Sequence, residues 1–362
     1  MASIYLDFLT SLRDWPFLDV EGTAQKSDMR GNCRFCGPGS VTNVTLLPMS
    51  RSVRAHLLLF CVVGVWGSTF VLVKSVLRDV SPLLFNLLRM ALAFLCLAVL
   101  YRKQWRRIRR AGWVSGALLG FILAVAYQFQ TGGLKLTTPS KSAFITGMTL
   151  MLVPALGALP GVRRSGSRPP AWNVWLGVIL AFSGLVLLVA PPGDLTGIGV
   201  GDLLTLGCAF AFAGHIIFQD RVSDKGAGSG TDLAAIPFEQ LALLQVGFCT
   251  LFMAASTPLL ERPSLHWTPL LVVTLIVEAV FATAAAFTIQ SWAQKFLAPT
   301  YLVLIYAMEP VFAWLTSLAV LHQGLSARAG WGAVLILAGV LSAEFLGNRV
   351  LRVTDSAPTA SI

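Results

Sequence analysis

Apolar residues run through this chain in blocks of roughly 20, the length that crosses a bilayer core, separated by short polar stretches. Ten such blocks are predicted as membrane-spanning helices. The first five cover about 55–74, 82–101, 113–131, 142–160 and 172–190. The second five cover about 200–219, 237–257, 268–290, 298–321 and 329–347. A soluble core helix needs only about 10–14 apolar residues, and these blocks are longer and nearly free of charge. The alternating pattern of a transmembrane barrel is missing. The expected fold is an all-α polytopic membrane protein.

Residues 1–50 break the pattern. They are mixed and polar, with Arg13, Lys26, Arg30 and Arg34 against Asp7, Asp14, Asp19, Glu21 and Asp28. That is too little apolar material for a core, so a poorly ordered tail is expected. Met49 is followed by Ser-Arg-Ser-Val-Arg and then directly by the first span. A true start at Met49 is therefore expected; an intact mass beginning at Met1 would sink it. No signal peptide is visible, because the first long apolar run begins near Ala55.

Composition agrees with the blocks. The chain is 56% hydrophobic and 12% charged, with a mean hydropathy of +0.73. A soluble domain carries about 25% charged residues, so a large soluble enzyme is excluded, as is a disordered chain. The net charge of +10 reads as topology, with no nucleic acid expected as a partner. Arg102, Lys103, Arg106, Arg107, Arg109, Arg110, Arg163, Arg164, Arg168, Arg221, Lys225, Lys295, Arg349 and Arg352 fall in one set of alternate loops and the C-terminal tail. The opposite set holds only Lys74, Arg78, Lys135, Lys141, Arg262 and Arg328. The heavier side is expected to be cytoplasmic, which puts both termini inside.

The chain also repeats. LTTPSKSAFITGM, ending at Met148, resembles LAPTYLVLIYAM at 297–308, pairing Pro139 with Pro299 and Met148 with Met308. GVILAFSGLV at 177–186 resembles GAVLILAGVL at 332–341, matching Gly177 and Gly184 to Gly332 and Gly339. Two five-helix halves follow, over 51–190 and 191–347, with a cytoplasmic tail at 348–362. Five is odd, so the second half must be inverted relative to the first, the build of many secondary transporters.

Three stretches carry a family resemblance: GVWGSTFVLVKSVLRDVSPLLFNLLRMALA (64–93), AYQFQTGGLKLTTPSKSAFITGM (126–148) and GDLLTLGCAFAFAGHIIFQDR (201–221). They resemble the EamA-type members of the drug/metabolite transporter superfamily, over about 55–347. WGSTF and FQTxGL are the more specific elements. The resemblance implies a ten-helix inverted-repeat carrier of the inner membrane with both termini inside. It implies export or exchange of small metabolites, often amino acids or related compounds, and names no substrate. The first 50 residues have no counterpart in the family pattern.

Ionisable groups inside spans are costly, about 2.5–3.5 kcal/mol on insertion scales, and so point to function. Glu278 lies mid-span, with Thr274, Ala282 and Ala285 on its small, polar face. It is the favoured proton or substrate site; the other reading is a structural partner for a buried cation or hydroxyl. Glu309 precedes Pro310, where a kinked or broken helix is expected. A Glu bonded within its own helix is equally open. Arg89 could hold an anionic group or pair with a carboxylate. The family commonly carries Arg there, so an architectural role is as open as a functional one. Lys141 opens the fourth span opposite Tyr301 of the repeat and could tune specificity or snorkel to the interface. Trp66, Ser68, Thr69, Tyr127, Gln128, Gln130 and Thr131 supply hydrogen-bonding groups that should face a cavity or another helix. His215 is either a proton relay or a histidine bonded within the bundle.

No metal site, cofactor or catalytic triad is expected. Cys33 and Cys36 lack two further ligands for zinc, and GAGSG (226–230) reads as a linker. Without a Walker motif, drive by the chain's own ATP hydrolysis is not expected. The leading function is a secondary carrier for a small metabolite or drug-like solute, driven by protons or exchange. The alternative is a polytopic membrane enzyme acting on a lipid-linked substrate. A receptor or scaffold would need larger cytoplasmic loops. Expected partners are the small-molecule substrate and membrane lipid, with a homodimer left open.

Overall fold

The structure is a computed structural model of the 362-residue chain, describing residues 50–137, 139–162, 167–189, 199–223, 236–321 and 327–355. The N-terminal tail with Cys33, Cys36 and Met49, and the 226–230 segment, lie outside these residues. The described residues are almost wholly helical, joined by turns and two isolated β-bridges.

In the first half, α1 (Arg51–Val76), α2 (Pro82–Leu100) and α3 (Arg110–Leu136) are long and continuous. The fourth span is split into α4 (Pro139–Gly147) and α5 (Thr149–Ala158), and α6 (Trp172–Val189) follows. The second half opens with α7 (Val200–Val222) and α8 (Phe238–Leu260). Its third helix runs as α9 (Pro269–Ala279), a π-helical segment Val280–Ala285, and α10 (Ala286–Ala293). Its fourth is split into α11 (Pro299–Tyr306) and α12 (Glu309–Leu321), and α13 (Ala327–Asp355) ends the bundle. Prolines begin α2, α9 and α11, where the missing N–H would have had no helical partner. Thr268 caps α9 by accepting from Leu271 N at 3.2 Å.

Among the described residues, six helices are long and apolar enough to cross a membrane, and Phe144–Ala158, Trp172–Leu188 and Ala327–Ala343 are shorter apolar helices. Large apolar side chains such as Leu95, Val99, Ile179, Leu203, Leu251 and Val273 lie exposed on the helix surfaces. In water such faces would be costly; against lipid tails they are at home.

The expected break at Glu309–Pro310 is present, with the interruption falling at Ala307–Met308 just ahead of it. A second break, at Met148, sits at the matching place in the first half. Pro154 lies inside α5 without ending it.

The inversion is visible where α6 packs on α13. A Cβ on Gly177 would lie 2.7 Å from Gly339 O, and one on Gly339 would lie 2.5 Å from Gly177 O. Gly184 and Gly332 show the same reciprocal approach, at 2.5 and 2.7 Å. The residue numbers run in opposite directions along the seam, so the two helices are antiparallel. A two-fold axis in the membrane plane produces this self-paired contact. Only glycine permits backbones so close. The α1–α2 and α8–α9 connections are also tied across the halves. Ser81 N donates to Ser264 O at 3.0 Å, His266 N donates to Asp79 O at 2.7 Å, and Glu261 Oε2 accepts from Leu83 N at 2.8 Å.

Candidate functional site

The first half's α2 and the second half's α9 meet at one buried ion pair. Arg89 Nη1 donates to Glu278 Oε2 at 2.9 Å, with the side chains 11% and 3% exposed. The Arg89 guanidinium lies over the Tyr127 ring of α3, 4.7 Å from its centre. Sequence left open whether Arg89 and Glu278 touch; the fold joins them. The remaining Arg89 nitrogens, Nε and Nη2, are buried without a hydrogen-bond partner among the described residues.

Glu278 sits two residues before the π-helical segment. That wider turn shifts the backbone ladder and leaves carbonyls to side chains. Thr283 Oγ1 donates to Glu278 O at 2.8 Å, and Trp66 Nε1 of α1 donates to Ala282 O at 2.7 Å. Trp66 therefore anchors the first helix to the widened turn beside the ion pair.

The ring of Trp66 also meets Tyr306 edge-on, with centroids 5.1 Å apart. Tyr306 is the last residue of α11, and Glu309 is the first of α12. The α1 backbone comes close here, because a Cβ on Gly67 would lie 2.6 Å from Glu309 O. Glu309 interacts electrostatically with Glu278, Tyr127 and Tyr306. The Tyr306 hydroxyl is buried and unpartnered among the described residues, as is Thr274 Oγ1, one turn before Glu278.

The fold thus brings together Arg89, Glu278, Glu309 and Trp66 of the expected residues, with Tyr127. It places others elsewhere. His215 contacts Gln245 at 2.8 Å, and Ser291 accepts from Gln219 at 3.0 Å and from Gln245 at 3.1 Å, in a separate buried network of α7, α8 and α10. Gln128 donates to Ser256 Oγ, and Asn86 donates to Thr131 Oγ1 at 3.0 Å. Ser68 is exposed and accepts from Thr316 at 3.3 Å, while buried Thr69 donates to Trp66 O on its own helix. Gln130 is half-buried. Lys141 lies in α4, with its side chain outside the described residues. Tyr306 was not singled out from sequence; its one signal was its place just ahead of the Glu309–Pro310 break. The Gln219–Gln245–Ser291 network was also missed, because uncharged polar residues in spans draw less notice than charges.

The EamA-like transporter family matches this chain twice, over residues 53–190 and again over 199–343. The chain belongs to that family. A protein of Archaeoglobus fulgidus described as an uncharacterized transporter is 31% identical over 292 residues, covering 80% of this chain and 86% of the relative. A second uncharacterized transporter of the same organism is 21% identical over 294 residues, covering 79% of this chain and 96% of that protein. One solved crystal structure shares the fold, with a TM-score of 0.64 at 20% identity, over 82% of this chain and 99% of the other. The double match falls one to each five-helix half, and the chain is a multi-pass membrane transporter.

Proposed function

We propose that this EamA-family transporter is a secondary carrier that exports or exchanges a small metabolite by alternating access. Its place is the inner membrane, with both termini cytoplasmic, and a proton gradient or counter-substrate drives it. The observation that carries this reading is the Arg89–Glu278 pair with Tyr127 at the junction of the two inverted halves. Buried polar atoms there lack partners among the described residues, and such atoms cost free energy unless a ligand or water completes them. A discontinuous helix beside them, α11/α12, matches how transporter sites are built, and α4/α5 repeats the break in the first half. Rocking one half against the other would expose this junction to each side in turn.

The test is an extracellular metabolite profile of cells carrying wild type, Glu278→Gln or empty vector. A compound that accumulates outside with wild type only supports the carrier and places Glu278 in its cycle. Equal accumulation with the variant keeps the carrier and returns Glu278 to a structural role. No difference between wild type and vector, with the protein folded in the membrane, overturns export.

A further inference from the structure

We propose that Glu309 is the docking carboxylate for a monocationic organic amine, and that a proton occupies it when the amine is absent. The inference rests on the carrier reading and names the substrate class of the same site.

Three formally charged side chains bear on this site, two of them bound to each other and the third within electrostatic reach of Glu278. Arg89 is positive, and Glu278 is bound to it at 2.9 Å. Glu309 stands third, and among the described residues it makes neither a hydrogen bond nor an ion pair, though it lies within electrostatic reach of Glu278. The set therefore sums to one negative charge when both carboxyls are ionised. Uncompensated charge in a membrane interior is costly. A proton on Glu309 balances it, and so does a ligand with a single positive charge. A zwitterion or an anion leaves the site negative or makes it more so.

The surroundings suit an ammonium group. Tyr306 and Trp66 pack edge to face at 5.1 Å beside the helix break, and Tyr127 lies within electrostatic reach of Glu309. Aromatic faces attract organic cations. The buried Tyr306 hydroxyl, unpartnered among the described residues, adds an acceptor for those amines that carry an N–H, while the charge and the aromatic faces serve a quaternary ammonium as well. The ionisable groups facing Glu309 are Glu278, Tyr127 and Tyr306. Of the other helices packed on α11 and α12, α5 and α6 carry no ionisable residue, and α1, α7 and α13 bring no further charge into reach among the described residues.

The exchange balances. The ammonium arrives with its charge, the Glu309 carboxyl gives up one proton to the side on which the site is open, and a carboxylate–ammonium pair remains. Release reverses these changes on the other side, giving one proton for one monocation.

Phenyltrimethylammonium tests this, because it has a fixed charge and no proton of its own. It is added to the purified full chain in weakly buffered detergent solution, with pH and binding recorded together. Wild type is expected to bind it and release about one proton per cation, with phenylacetate and phenylalanine binding at least tenfold more weakly. Losing a charge-assisted contact predicts that Glu309→Gln binds the cation at least tenfold more weakly and releases no proton. Glu309→Asp should retain the release, which separates lost chemistry from lost folding. Equal proton release from Glu309→Gln, or wild-type binding of phenylacetate as tight as that of the cation, overturns the proposal. Failure of wild type to bind the cation also overturns it. A metabolite exported without cation preference would sink this assignment and keep the carrier. Cation binding with proton release but no export would sink the export reading and keep Glu309.

Discussion

The fourth and ninth spans break at matching places, yet only one break carries an acid. In the first half the chain leaves α4 at Gly147 and restarts at Thr149. In the second it leaves α11 at Tyr306 and restarts at Glu309. The repeat pairs Met148 with Met308, and so Thr149 with Glu309. The Thr149 hydroxyl is satisfied within the bundle, donating to Thr146 O at 2.8 Å and to Ala209 O at 3.3 Å. Glu309 has no such partner among the described residues. The repeat fixed the backbone geometry twice, and one side chain at a shared position set the chemistry of each copy.

This contrast can be broken or sharpened by substitution. The largest effect is expected at the ion pair that only the second break has beside it. Arg89→Gln or Glu278→Gln alone leaves a buried charge unpaired, at a cost of about 3–5 kcal/mol, whereas the double substitution should cost less than either. Thermal unfolding of the purified proteins checks this, and a double variant less stable than both singles would refute it. Next comes Thr149→Glu, which forces the acid into the first break, where the hydroxyl is already satisfied. A loss of about 2.5–3.5 kcal/mol is expected, with no gain of cation binding. Cation binding by Thr149→Glu with Glu309→Thr, as strong as wild type, would show that the breaks are interchangeable. Gly332→Ala probes a seam that both halves share. Its methyl would sit 2.7 Å from Gly184 O, so a loss of about 1–3 kcal/mol is expected, equal within error for Gly184→Ala. Unequal losses would argue against a symmetric seam. The smallest effect is Thr149→Val, which removes one hydroxyl. It should lower stability by about 0.5–1.5 kcal/mol and leave transport unchanged.

Much of the architecture was readable from residues. The paired Pro139/Pro299 and Met148/Met308 marked equivalent spans, but only Glu309–Pro310 drew attention as a break. The break at Met148 went unread because it lacks an adjacent proline, and its signal was the repeat itself. The four glycines at 177, 184, 332 and 339 were visible as a matched set. Their reciprocal contact was not, because sequence similarity says which residues are equivalent and not which ones touch. His215 shows another case: the sequence left a proton relay and a histidine bonded within the bundle both open, and the fold puts it 2.8 Å from Gln245 in a separate network.

The sequence by itself determined the bundle of membrane helices, its two-part repeat and its family, because these follow from span length, composition and motif, which are local properties. Tertiary structure alone decided that Arg89 binds Glu278, that Trp66 pins the π-helical turn, and that Glu309 makes no hydrogen bond or ion pair among the described residues. Those facts join residues up to 216 positions apart along the chain. No periodicity records such distances, and only the packing of one half against the other brings those side chains within reach.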